Sequence, residues 1–97
     1  MRVIAIASLR SFWELHPEAE IPLRTWYAIA SRADWQTPTH VKATYRQASF
    51  TANNRVIFNI KGNSYRLVVA IHYERGIIFI RFIGTHAEYD KINVEAI

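Results

Sequence analysis

The stretch Asn54-Arg55-Val56-Ile57-Phe58-Asn59-Ile60-Lys61-Gly62-Asn63-Ser64-Tyr65-Arg66-Leu67-Val68-Val69 decides how this 97-residue chain folds. Two apolar, β-branched runs meet at Gly62-Asn63, a pair suited to a tight hairpin because glycine tolerates positive φ. With a two-residue turn, Lys61 faces Ser64 and Asn59 faces Arg66. A third apolar run begins at Ile77, after Tyr73-Glu74-Arg75-Gly76. The sequence therefore predicts three antiparallel strands, at about 56–61, 64–73 and 77–83. Either Glu74-Arg75 or a four-residue loop ending at Gly76 makes the second turn. That register sets Val68 opposite Arg81 and Arg66 opposite Ile83.

Side chains alternate between the two faces of a strand. One predicted face holds Val56, Phe58, Ile60, Tyr65, Leu67, Val69, Ile71, Tyr73, Ile78, Ile80 and Phe82. It is almost purely apolar and should pack on helices. The other holds Ile57, Asn59, Lys61, Ser64, Arg66, Val68, Ala70, His72, Ile77, Phe79, Arg81 and Ile83. Three cations, Lys61, Arg66 and Arg81, share this more open face.

Upstream, residues 2–6 suit a short first strand. Ser8 can cap a helix over about 9–16, which Pro17 ends. A second helix is predicted over about 19–33, with Trp26, Tyr27, Ile29, Ala30 and Ala33 as its apolar face and Pro22 in its first turn. Thr37-Pro38 is a cap and first-turn pair for a short helix to about Tyr45. Residues 46–55 read as loop. Thr85 can cap a last helix over 86–92, with Glu88 completing a capping box.

The length suits one domain, since a chain this short buries only roughly 60–65% of its unfolded surface. A composition of 51% hydrophobic and 21% charged residues is globular. Cysteine is absent, which excludes disulfides and Cys zinc sites. Apolar runs are short and broken by charge, so no membrane helix fits. Met1 to Ala7 faintly resembles the start of a signal peptide, but Arg10 and Glu14 interrupt it, so a cytoplasmic protein is expected.

The net charge of +4 is unevenly spread. Residues 35–87 hold Lys42, Arg46, Arg55, Lys61, Arg66, Arg75 and Arg81 against one acid, Glu74. Residues 1–34 are balanced, and residues 88–97 are acidic by two. A basic sheet half points toward a polyanion, here an RNA phosphate.

Cutting RNA by attack of its own 2′-OH needs a base, cations around the phosphate and an acid for the leaving 5′-oxygen. Arg66 and Arg81 suit the phosphate, because a planar guanidinium binds oxygens in pairs. Lys61 can donate charge, or act as base if like charges lower its pKa. His86 is the natural proton shuttle. Tyr89 can stack on a base or orient a hydroxyl. Lys42, Arg46, Arg55, Arg75, Asn59 and Asn63 are the expected further RNA contacts. The competing structural reading makes His86 and Tyr89 surface residues of an ordinary capped helix. His16, His40 and His72 read as structural or solvent-facing, and Trp13, Trp26 and Trp35 as core or interface anchors. The histidines lack metal-ligand spacing, so neither metal nor cofactor is expected.

The pairing of Val56-Ile57-Phe58-Asn59-Ile60-Lys61-Gly62-Asn63-Ser64-Tyr65-Arg66-Leu67-Val68-Val69 with Ile80-Arg81-Phe82-Ile83-Gly84-Thr85-His86-Ala87-Glu88-Tyr89-Asp90-Lys91-Ile92 resembles the HigB toxins of type II toxin–antitoxin systems, a branch of the RelE-like superfamily. Trp35-Gln36-Thr37-Pro38 and the helices before it match in order and length. The resemblance implies an α+β fold: N-terminal helices on one face of a twisted, mostly antiparallel sheet of about four strands, with a short C-terminal helix. It implies an mRNA interferase that cuts translated mRNA in the 70S ribosome without a metal. Its partner would be a HigA-like helix-turn-helix antitoxin, through which operator DNA is bound. The family's motif positions fall on Lys61, Arg66, Arg81, His86 and Tyr89. The alternative is a non-catalytic RNA- or ribosome-binding module.

Overall fold

The computed structural model describes residues 1–97 as four α-helices on a five-stranded mixed sheet. The chain runs β1 (Arg2–Ile4), α1 (Ile6–Leu15), α2 (Glu20–Arg32), α3 (Pro38–Thr44), β2 (Ser49–Phe50), β3 (Arg55–Ile60), β4 (Tyr65–His72), β5 (Ile77–Thr85) and α4 (His86–Tyr89). Single 3₁₀ turns at Pro17–Ala19 and Tyr73–Arg75 join α1 to α2 and β4 to β5. The strand order is β1-β5-β4-β3-β2. Four strands were expected; the fifth is β2, two residues inside the segment read as loop. The β3–β4–β5 meander is antiparallel, while β1 pairs in parallel with β5. No helix is long and apolar enough to cross a membrane.

Helix α1 starts earlier than Ser8 would place it. Ala5, in a left-handed conformation at φ 74°, occupies its N-cap without a side-chain bond. Thr37 caps α3 as expected, its side chain accepting from the His40 N–H. On α2 the buried face is Leu23, Trp26 and Ala30. Tyr27 and Ile29 were assigned inward but are 37% and 38% exposed, because Leu23–Trp26–Ala30 already fills the stripe nearest the sheet.

The core lies between the helices and one sheet face. Leu9, Leu23, Trp26 and Val41 meet Val56, Phe58, Leu67, Val69, Ile71 and Ile78, all at most 1% exposed. Phe58 is its aromatic centre, with ring centroids 5.1 Å from Tyr45, 5.5 Å from Trp26 and 6.3 Å from Trp35.

The hairpin register holds at Asn59↔Arg66. The second turn is the four-residue loop, with Gly76 at φ 66° and His72 opposite Ile77. That register continues to Val69↔Ile80 and then breaks at a bulge between Val68 and Val69. Beyond it Val68 pairs with Phe82, Leu67 with Ile83 and Arg66 with Gly84. Strict alternation had placed Phe82 toward the helices and Ile83 away. The extra residue reverses both, and Ile83 is the one that packs against the core.

The face away from the helices is only partly open. Ile57, Val68 and Ala70 lie on it, yet each is buried to within 4%. After α4 the chain returns along this side: the Glu95 carbonyl accepts from Asn53, and the Ile97 carbonyl accepts from Arg55. The side chains of this face that keep solvent access include Asn59 and Arg66 near the turn from β3 to β4, Arg81 at the bulge, and His72, Ile77 and Phe79 at the other end.

Candidate active site

Arg66 sits at the start of β4, half-buried, opposite Asn59 and Gly84. Its Nη1 donates to the carbonyls of Asn63 (3.0 Å) and Tyr65 (3.2 Å). One edge of the guanidinium is thus anchored to the hairpin, and the other donors remain for an anion. Asn59 Nδ2 reaches Asn63 Oδ1 at 3.4 Å and Gln47 Oε1 at 3.5 Å. Arg66, Asn59, Asn63 and Gln47 therefore form one polar patch.

Arg81 is the extra residue of the β5 bulge and is exposed. A bulge bends the strand and re-aims its side chains. Three residues along β5 separate it from Gly84, the partner of Arg66. No acidic partner neutralises either arginine.

Lys61 was expected to continue the ladder opposite Ser64. It lies instead in the turn, at φ 52°, beside Gly62 at φ 63°. The Ser64 N–H donates to its carbonyl at 3.1 Å. Two consecutive left-handed residues lift Lys61 out of β3, which ends at Ile60. Its side chain is exposed and its charge acts on Glu18. The Tyr65 hydroxyl donates to Glu18, and this bond, more than Lys61 or His16, holds the Glu18 carboxyl below its usual range. The same bond pushes the Tyr65 phenol up. The His16 ring stacks on Phe12 with centroids 4.4 Å apart.

His86 opens α4 two residues beyond Gly84, and its Nδ1 lies 3.1 Å from Asp90 Oδ2. A carboxylate on Nδ1 favours the tautomer with its proton there and leaves the lone pair on Nε2. The capping box is closed. Thr85 Oγ1 accepts from the Glu88 N–H at 3.2 Å, and the Glu88 carboxylate accepts from the Thr85 N–H at 2.8 Å. Those bonds, the backbone one first, pull the Glu88 pKa below its ordinary value. The helix is one turn, 86–89, shorter than the 86–92 expected. Tyr89 ends it, half-buried. Gly84 lies tightly beneath this turn: a Cβ there would meet Phe82 Cζ at 2.5 Å and Glu88 Oε1 at 3.0 Å, so one of those side chains would have to shift.

The remaining expected RNA contacts divide. Asn59 and Asn63 join Arg66, and Arg46 lies in the loop beside Gln47. Lys42 Nζ donates to the Ala48 carbonyl at 2.8 Å, bracing that loop. Arg55, opposite Ala70, and Arg75, just past His72, lie toward the other end of the sheet, roughly 14 Å and 20 Å from Arg66 at about 3.4 Å per residue along β4. Arg55 is engaged with Asn53 and Ile97. Nowhere do three His, Asp or Glu side chains converge as a metal ligand set.

Two members of this region were not singled out in the sequence. Asp90 follows His86 at i+4, a spacing that places both on one helical face and was there to be read. Gln47 sits in irregular chain, where no periodicity points to Asn59.

Residues 19–92 match the family described as HigB toxin, a RelE-like toxic component of a toxin–antitoxin system. The chain is also 24% identical over 94 residues to "mRNA interferase HigB" of Escherichia coli O6:H1 (strain CFT073), covering 95% of this chain and 91% of the relative.

Proposed function

The chain belongs to the HigB toxin family of RelE-like toxins, and from that premise we propose that it is an mRNA interferase acting on translated messages in the ribosomal A site. The observation that carries this reading is the end of the sheet: Arg66 on β4, Arg81 at the β5 bulge three residues before Gly84, and the His86–Asp90 pair beginning two residues past Gly84, the partner of Arg66. The name of the Escherichia coli relative supports it.

The reaction proposed is transesterification. The 2′-oxygen attacks phosphorus, the bond to the 5′-oxygen breaks, and a 2′,3′-cyclic phosphate and a 5′-hydroxyl result. One proton leaves the 2′-OH and one reaches the 5′-oxygen. His86 carries a proton through Nε2 while Asp90 holds Nδ1 and stabilises the charged ring. Arg66 and Arg81 bind the non-bridging oxygens as charge builds, and preorganised donors of this kind each supply about 10²–10³ in rate. Lys61 adds positive charge from the turn, and Tyr89 positions or stacks on the RNA. No step draws on a metal. The messenger is presented by the 70S ribosome, and a HigA-like helix-turn-helix antitoxin restrains the toxin and carries it to operator DNA.

The closed capping box favours a second reading, in which α4 is structural and the protein binds RNA or ribosomes without cutting. RNA 5′ ends mapped in a purified translation reaction, with and without ribosomes, separate the two. New ends that need ribosomes and vanish with Arg81→Ala are expected. Inhibited translation without new ends would leave the binding module.

A further inference from the structure

We infer that the recess between the loop after α3 and the outer edge of β3 is a nucleobase-reading pocket, in which Gln47, Asn59 and Asn63 hydrogen-bond the edge of one unstacked base. The inference rests on the nuclease reading above and adds to it a base-selective subsite beside the phosphate-binding arginines.

The recess has a volume of about 310 Å³, walled by Tyr45, Arg46, Gln47, Phe58 and Asn59. That lies at the small end of the range for ligand pockets, about 300–1,000 Å³, which suits a base better than a larger group. It exists because β2 is so short. Its two residues pair only with Ile57 and Val56, so β3 beyond Ile57 has no strand on that side. Lys42, bonded to the Ala48 carbonyl, props the loop that forms the opposite wall.

The recess has the chemistry of base readout: Gln47 and Asn59 line it, and Asn63 stands just outside, within reach of Asn59. Asn59 Nδ2 is shared between Gln47 Oε1 and Asn63 Oδ1 at 3.5 and 3.4 Å. Both bonds are at the long limit and are readily exchanged for shorter ones. Gln47 Nε2, Asn63 Nδ2 and Asn59 Oδ1 have no protein partner, so donors and an acceptor stand side by side at the surface. An amide makes two parallel bonds to a base edge that pairs an acceptor with a donor. The unstacked bases of single-stranded RNA are open to such reading. Arg66 Nη1 on the Asn63 carbonyl ties the amides to the phosphate site, so the base read is fixed in register with the bond cut. Arg46, exposed at the rim, has no acidic partner and can meet the next phosphate.

The test compares all cut sites made on the same translated messages by the wild-type protein, by Gln47→Glu and by Asn63→Asp. Both side chains are exposed, so both variants should fold, which circular dichroism checks. Wild-type cuts should favour one base at a fixed distance from the scissile bond. A carboxylate accepts but does not donate, so each variant should move that preference by about tenfold toward bases that present an amine. Identical base distributions for all three proteins would overturn the pocket and leave the nuclease standing. A folded Gln47→Glu protein that no longer cuts at all would assign Gln47 to turnover and overturn it too. Absence of cuts by the wild-type protein would remove the nuclease reading and the pocket with it.

Discussion

His86 Nδ1 and Asp90 Oδ2 lie 3.1 Å apart, joining the first residue of α4 to the residue that caps its C-terminus. Both side chains are more than half exposed, at 53% and 59%, so the contact adds little to stability. In the mechanism proposed above its role is to orient the imidazole. Asp90→Asn should lower cleavage about tenfold or more while leaving the melting temperature and ribosome binding unchanged, and His86→Ala should lower it further. Single-turnover assays on programmed ribosomes measure this. Wild-type turnover in Asp90→Asn would make the pair incidental.

Arg66 and Arg81 should be the most sensitive cations. Each alanine variant should lose about 10²–10³ in rate. Arg81→Lys should recover only part of it, because an ammonium cannot bind two oxygens in parallel. At the exposed Arg81 the stability change should stay within about 0.5 kcal/mol, read from urea unfolding. A large stability loss would mean that the bulge needs the arginine for itself.

Gly84 tests the seat of α4. Gly84→Ala must push the Phe82 ring aside and crowd the Glu88 carboxylate. A cost of about 1–2 kcal/mol is expected. For a domain of this size that lowers the melting temperature by roughly 4–16 °C. Cleavage should fall as well, since His86 is two residues away. An unchanged melting temperature would show that Phe82 moves freely.

Glu88 should give an acid-side signature. Its folded-state pKa is lowered from 4.5 by the Thr85 bonds, so the unfolded chain protonates first as pH falls. Its contribution to α4 is therefore complete above about 4.5 and is lost as pH falls through the lower, folded value. An NMR titration should place the Glu88 midpoint below 4.5, and Thr85→Ala should move it part of the way up. A wild-type midpoint at or above 4.5 would mean that the box is open in solution.

Phe58→Ala empties the centre of the aromatic cluster formed with Trp26, Trp35 and Tyr45. Such a truncation costs about 3–5 kcal/mol. Calorimetry should show most or all of the folding transition lost at 37 °C; a shift of only a few degrees would mean that the cluster closes over the gap.

The meander was legible because its signals are local. Gly62-Asn63 and Gly76 fix both turns, and period-two alternation then places Asn59 opposite Arg66. The bulge at Arg81 was not legible. Phe82 and Ile83 are both large and apolar, so the pattern does not say which points inward, and one inserted residue reverses them. The pairing of β1 with β5 joins segments about 75 residues apart that carry no mutual signal. Burial of Ile57, Val68 and Ala70 on the outer face goes with the return of residues 90–97 along that side, which their mixed composition, half apolar and half polar, does not announce. In the candidate site, Arg66, Asn59 and Asn63 followed from the hairpin register. Lys61 departed from it because two left-handed residues ended β3 early.

The parallel pairing of Arg2 with Ile77 has a consequence for how the protein is made. Strand β1 has no neighbour in the sheet until β5 has been made. Translation proceeds at about 5–20 residues per second, so β1 waits roughly 4–15 seconds for β5. Through that interval α1, joined to β1 by Ala5 alone, has no fixed sheet to settle on. The bulge that carries Arg81 and the helix that carries His86 emerge later still. The proposed site is therefore assembled from pieces made far apart in time, and its geometry is set only after β5 has closed the sheet over the first strand.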